Sequence, residues 1–219
     1  PEDGYQGEDI KDLAKEYADL NGDSLVNVSA EERKKALVDY ALPKNIKKMQ
    51  ADMEKYKIFY DKWFFESELH KSGAVKAVVD LLTKKGLTYE KDGAVWYKNK
   101  EVLTQKLLKE GKSQKYIDNL ELKDDVLIRQ NGNPTYFTAD IAYHKNKFDR
   151  GFTTLIDVWG ADHHGHVMRM KGAMDAIGYD GDKLNVVLMQ LVKLVKDGEL
   201  VRMSKRTGKA IQLGDLLDE

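Results

Sequence analysis

The chain has 219 residues, and its 36 Lys plus Arg against 37 Asp plus Glu leave a net charge of −1. That balance makes no electrostatic case for nucleic acid. The absence of cysteine excludes disulfides and thiolate metal sites, and no apolar run approaches the roughly 18 residues of a membrane span.

The length suits one large domain or two small ones. Ile10, Leu13, Ala14 and Tyr17 mark a short amphipathic helix ending near Asn21-Gly22. Ser29 and Glu32 have capping-box spacing for a second helix. Ile46, Met49, Met53, Tyr56, Tyr60 and Trp63 extend an apolar stripe past Pro43, which reads as core packing. Val75, Val78, Val79 and Leu82 predict another helix closed by Gly86, and Leu87 to Lys91 should pair with Ala94 to Lys98 across an Asp92-Gly93 turn. The lysine-rich stretch from Lys100 to Leu120 reads as a solvated helical excursion.

From Asp125 the pattern changes to strands alternating with helices: Val126 to Arg129, Thr135 to Thr138, a helix to about Phe148, Thr153 to Trp159, a helix to Ile177, and Val186 to Leu191. Such alternation predicts a largely parallel α/β layer, with a soft boundary near Leu122. Gly160 and Asp162 follow the strand that ends at Trp159. There a glycine can let a nucleotide approach the backbone, and an acid can hold a ribose hydroxyl. A hairpin turn at Asp197-Gly198 leads into Arg202-Met203-Ser204-Lys205-Arg206, three cations around one hydroxyl, suited to a polyanion.

Three strings give these elements a family. Pro134-Thr135-Tyr136-Phe137-Thr138-Ala139-Asp140-Ile141-Ala142-Tyr143-His144, Trp159-Gly160-Ala161-Asp162-His163-His164-Gly165-His166 and Met203-Ser204-Lys205-Arg206 closely resemble arginyl-tRNA synthetase, a class I aminoacyl-tRNA synthetase. The likeness extends to Gly4-Tyr5-Gln6-Gly7-Glu8, Trp63 to Glu68 and Asp92 to Trp96, and is weakest over Lys98 to Leu122. It implies an α/β fold: the second half of a Rossmann-like catalytic domain over residues 123–219, preceded over residues 1–122 by a mostly helical connective region with a β-hairpin. It also implies a ligase that activates L-arginine with ATP, Mg2+ accompanying the nucleotide, and passes the arginyl group to tRNA(Arg) in the cytoplasm, with no membrane partner.

By motif match, Lys205 would contact the departing pyrophosphate, with Ser204 and Met203 holding the loop on the nucleotide. Arg202 stands where the family has a lysine, a departure that leaves its role less defined. Gly160 and Asp162 would contact ATP, and Tyr136, Asp140 and His164 the arginine. Asp140 also has a structural reading, as a helix N-terminal acid favoured by the dipole. Asp162, His163, His164 and His166 admit a metal-binding hydrolytic domain as an alternative. Against it, His163 and His164 would point apart in a continuing strand and no further ligand group recurs. A non-catalytic binding module is the other alternative. The chain starts at Pro1 and contains no His-Ile-Gly-His-like tetrapeptide, so it is expected to be an internal piece of a longer ligase, inactive alone.

Overall fold

The computed structural model describes residues 7–196, 198–200 and 213–218. Two compact units emerge, Phe64–Val192 and a second made of Pro1–Trp63 with Lys193–Glu219. The change of pattern near Leu122 therefore falls inside one unit.

In the terminal unit, α1 (Glu8–Asn21) and α2 (Ala30–Lys55) follow one another. The Ser29 side chain accepts from Glu32 N–H while the Glu32 carboxylate accepts from Ser29 N–H, the reciprocal capping box expected. Arg33 donates to the carbonyls of Leu25, Val26 and Val28, which satisfies the loop between the helices. Tyr17 and Tyr40 meet edge to face at 5.1 Å, and Lys44 pairs with Glu16. Helix α2 runs through Pro43 but buries no residue. The stripe expected as core is thus not one: Met49, Tyr56 and Tyr60 are all about half exposed. The helix stops at Lys55, before Tyr60 and Trp63.

The central unit begins with α3 (Glu66–Lys71) and α4 (Ala74–Lys84), the latter burying Val75, Val78 and Leu82. Strands β1 (Thr88–Lys91) and β2 (Ala94–Tyr97) form the expected hairpin. Asp92 and Gly93 both take positive φ, 53° and 72°, as a tight primed turn requires. Helix α5 (Asn99–Lys109) and helix α6 (Gln114–Asn119) follow. The expectation of a solvated excursion fails here, because Leu103, Leu107 and Ile117 are buried.

Strand β3 (Asp125–Ile128) pairs antiparallel with β2 rather than entering a parallel layer. The expected strand Thr135 to Thr138 is instead the start of α7 (Tyr136–Asp149). Thr135 and Thr138 have the β-branched shape of strand residues, yet their hydroxyls donate to the carbonyls of Val126 and Leu127, and Thr135 caps the helix. Strand β4 (Leu155–Gly160), a 3-10 turn (Ala161–His163), α8 (His164–Ile177) and β5 (Leu184–Met189) complete the unit. Strands β4 and β5 are parallel, from Leu155 beside Leu184 to Gly160 beside Met189.

The core joins Val78 and Leu82 of α4, Tyr97 of β2, Leu127 of β3, Ile141 of α7, and Met170 and Met174 of α8. Gly172 lies where α5 packs on α8: a Cβ there would stand 2.6 Å from a methyl of Leu103, which would have to shift to admit it. Lys106 reinforces the contact through Asp175, at 2.7 Å. Back in the terminal unit, β6 (Val195–Lys196) pairs antiparallel with β7 (Glu199–Leu200) around Gly198, and α9 (Leu213–Asp218) is tied to α2 by Lys55 and Asp218. The fold class is α/β, as expected.

Candidate active site

Helices α7 and α8 both start on one side of the central unit. Between their first turns and the carboxyl end of β4 lies a cavity of about 790 Å³. Tyr136, Phe137 and Asp140 of α7 line it, as do Trp159 at the end of β4, Asp162 and His163 of the turn, and His166 and Arg169 of α8. The carboxyl end of a parallel strand is where open α/β sheets take ligands, because the turns that follow supply side chains and unpaired backbone groups.

Asp140 is one of three carboxylates that line the cavity, with Glu66 and Asp162. It lies in the second turn of α7, which Thr135 caps, and so just beyond the first turn in which an acid gains most from the helix dipole. Its Oδ2 accepts from His166 Nε2 at 2.8 Å, with the Asp140 side chain one third exposed. Tyr136, 83% exposed, lines the same cavity. The two are four residues apart and so share one helix face.

Beneath Asp140 the polar contacts continue inward. The Asp140 carbonyl accepts from His144 Nδ1 at 2.8 Å, and that same nitrogen is 3.4 Å from Oδ1. His144 Nε2 lies 2.5 Å from Asp157 Oδ2, and Lys147 donates to Asp157 Oδ1 at 2.8 Å. Burial pushes the Asp157 carboxyl up, but the hydrogen bonds from His144 and Lys147 outweigh it and hold Asp157 below its ordinary range. One turn along α8 from His166, Arg169 pairs with Asp125 and stacks over Phe137 at 4.8 Å. Burial raises the Asp125 carboxyl, and Arg169 only partly offsets that.

The remaining sequence candidates divide. Asp162 is exposed on the cavity wall. Gly160 ends β4 with an ordinary φ of −64°, and a Cβ there would meet the exposed Asp162 carboxylate, which would have to turn aside. His164 opens α8, exposed, and is not among the residues facing the cavity. Arg202, Met203, Ser204 and Lys205 lie outside the described residues.

The strand does not continue through His163 and His164, since it stops at Gly160. His166 is drawn to Asp140 on another helix, and among the described residues no group of three His, Asp or Glu side chains could hold a metal. Sequence reasoning missed His144 and Arg169 as parts of the site, and weighed His166 only as a metal ligand. The available signals were the i, i+4 spacing of Asp140 and His144, and the i, i+3 spacing of His166 and Arg169.

Residues 8–219 match the family model for class I tRNA synthetases (R), catalytic domain. The chain is 55% identical to the arginine–tRNA ligase of Caldanaerobacter subterraneus subsp. tengcongensis and 52% identical to that of Ruminiclostridium cellulolyticum. Both matches cover all of this chain and 36% of the relative. A solved Campylobacter jejuni protein described as an arginyl-tRNA synthetase superposes with a TM-score of 0.78 at 36% identity, over all of this chain and 43% of that one. The Thermus thermophilus arginyl-tRNA synthetase shares the fold, with a TM-score of 0.57 at 18% identity over 82% of this chain and 34% of that one. The chain thus spans about a third of the length of its curated relatives, and it belongs to the class I tRNA synthetase family of the arginine type, within the catalytic domain.

Proposed function

We propose that this chain supplies the amino-acid wall and part of the nucleotide site of an arginine–tRNA ligase. The complete ligase would join L-arginine and ATP into arginyl adenylate, releasing pyrophosphate, and the terminal ribose of tRNA(Arg) would then take the arginyl group. Neither step needs a protein nucleophile, so the residues work by positioning and by stabilising charge.

The observation that carries the reading is the Asp140 carboxylate on the cavity wall beside the exposed Tyr136. A carboxylate can accept two parallel hydrogen bonds from a guanidinium, and an aromatic face adds a cation–π contact. His164 is exposed at the start of α8 and outside the cavity lining, so the arginine wall is assigned to Tyr136 and Asp140 without it. Asp162, just past the carboxyl end of β4, is assigned to a ribose hydroxyl, with Gly160 letting the nucleotide approach the backbone. Lys205, Arg202, Ser204 and Met203 are assigned to the triphosphate by motif. Residues 1–122 would then be the connective region and residues 123–219 the second half of the nucleotide fold.

Mg2+ would travel on the phosphates of the nucleotide. Among the described residues no group of three His, Asp or Glu side chains would hold it alone. No helix among the described residues is long and apolar enough to cross a membrane. From the likeness to arginine–tRNA ligases, and not from that absence, the complete ligase is assigned to the cytoplasm.

The test is arginine binding and arginine-dependent exchange of pyrophosphate into ATP by the full-length ligase carrying this chain. Asp140→Asn keeps the shape and removes the charge, and should weaken arginine roughly ten- to a hundredfold while leaving ATP affinity nearly unchanged. Equal small changes in both affinities would refute the assignment.

A further inference from the structure

The Asp140 carboxylate is not a free side chain. Its Oδ2 is held by His166, and the His166 ring is itself fixed between Phe137 and Trp159, with centroids 5.6 and 5.2 Å away. On the other side, His144 Nδ1 bonds the carbonyl of Asp140 at 2.8 Å and stands 3.4 Å from Oδ1. His144 is buried, and its other nitrogen is tied to Asp157, which Lys147 also holds. Oδ2 of Asp140 thus bonds one imidazole and Oδ1 stands beside a second, and each ring is held by further contacts of its own.

We propose that His166 and His144 are positioning residues that lock the plane of the Asp140 carboxylate, so that the cavity selects a flat, forked cation over a compact ammonium. The inference rests on the reading of Asp140 as the guanidinium acceptor. A guanidinium donates along two parallel N–H bonds in one plane, and it gains most from an acceptor whose plane is set before binding. An ammonium directs its donors tetrahedrally, and a fixed carboxylate plane gives it little. Rigidity here therefore becomes discrimination between arginine and lysine.

His166→Phe keeps a ring between Phe137 and Trp159 but removes the donor. His166→Gln places an amide N–H near the position of Nε2. In the full-length ligase carrying this chain, the dissociation constants of arginine and ATP, and the inhibition constant of lysine, are measured for both variants and for Asp140→Asn. The Phe variant should weaken arginine about tenfold, as expected for loss of a hydrogen bond to a charged group, with ATP within about twofold. It should weaken lysine less than arginine. The Gln variant should recover arginine affinity to within about threefold of wild type.

An unchanged arginine affinity in His166→Phe, with Asp140→Asn still damaging, would overturn the positioning role and leave the guanidinium reading standing. Equal weakening of arginine and ATP, or a Gln variant no better than Phe, would reduce His166 to a structural role and overturn the proposal. Unaltered arginine affinity in Asp140→Asn would remove the guanidinium reading and this inference with it.

Discussion

Helices α2 and α4 carry apolar residues at helical spacing, one in the terminal unit and one in the central unit. Helix α4 buries Val75, Val78 and Leu82, whereas α2 buries nothing and leaves Val38, Leu42 and Met49 about half exposed. The difference lies in what faces each stripe. Helix α4 meets the apolar sides of α7 and α8, and its side chains enter one core cluster with Ile141, Met170 and Met174. Helix α2 meets α1 and α9, and its contacts there among the described residues include a tyrosine pair and two ion pairs. Periodicity states which face of a helix is apolar; burial needs a second apolar face to receive it.

The sharpest way to break this contrast is a matched pair of truncations. Leu82→Ala removes a fully buried side chain from the central core and should cost about 2 to 5 kcal/mol of unfolding free energy. Met49→Ala, at a position that is 50% exposed, should stay within about 0.5 kcal/mol. Urea unfolding of the purified chain measures both. Comparable losses would mean that α2 is packed as tightly as α4.

Next in size is Asp157, whose carboxylate joins His144 to Lys147 beneath the cavity. Its folded pKa is lowered. Its contribution is therefore fully present above the unfolded value near pH 3.9, and is lost as the pH falls through the lower folded value. Asp157→Asn at neutral pH should cost about 3 kcal/mol, the scale for removing one partner of a buried pair. The gap between wild type and variant should close below about pH 4. A gap that widens on acidification would reverse the sign and remove the ion pair from the account.

The same contrast explains what could be read from the residues. The Asp92-Gly93 turn, the Ser29 and Glu32 capping box, and the run from β4 through its turn into α8 are local: neighbours in sequence carry all of the chemistry. Three features were not legible because distant partners decide them. The hydroxyls of Thr135 and Thr138 bond to carbonyls of β3 and turn a strand-like segment into a helix start. Gly172 on α8 lies against Leu103, which is buried although its segment is lysine-rich. At the site, Tyr136, Asp140 and Asp162 come together as motif spacing suggests, while the bond from His166 to Asp140 joins residues 26 apart in the chain and had no local signal.

The smallest expected effect tests whether the contrast reaches the surface. Lys35 and Asp39 on α2, and Lys76 and Asp80 on α4, are matched ion pairs. Both are spaced i, i+4 at 2.5 Å, with side-chain exposures of 77% and 61% in one and 79% and 60% in the other. An exposed pair gains little from Coulomb attraction in high dielectric and pays side-chain entropy for its geometry, leaving about 0.3 to 0.5 kcal/mol. Lys35→Ala and Lys76→Ala should therefore cost the same small amount, and 1 M salt should abolish most of it, since the screening length there is about 3 Å. If the dense core beneath α4 stiffened its surface, Lys76→Ala would cost measurably more than Lys35→Ala and would resist salt. Equal, salt-sensitive losses would confine the difference between the units to their interiors, where the facing apolar surfaces are.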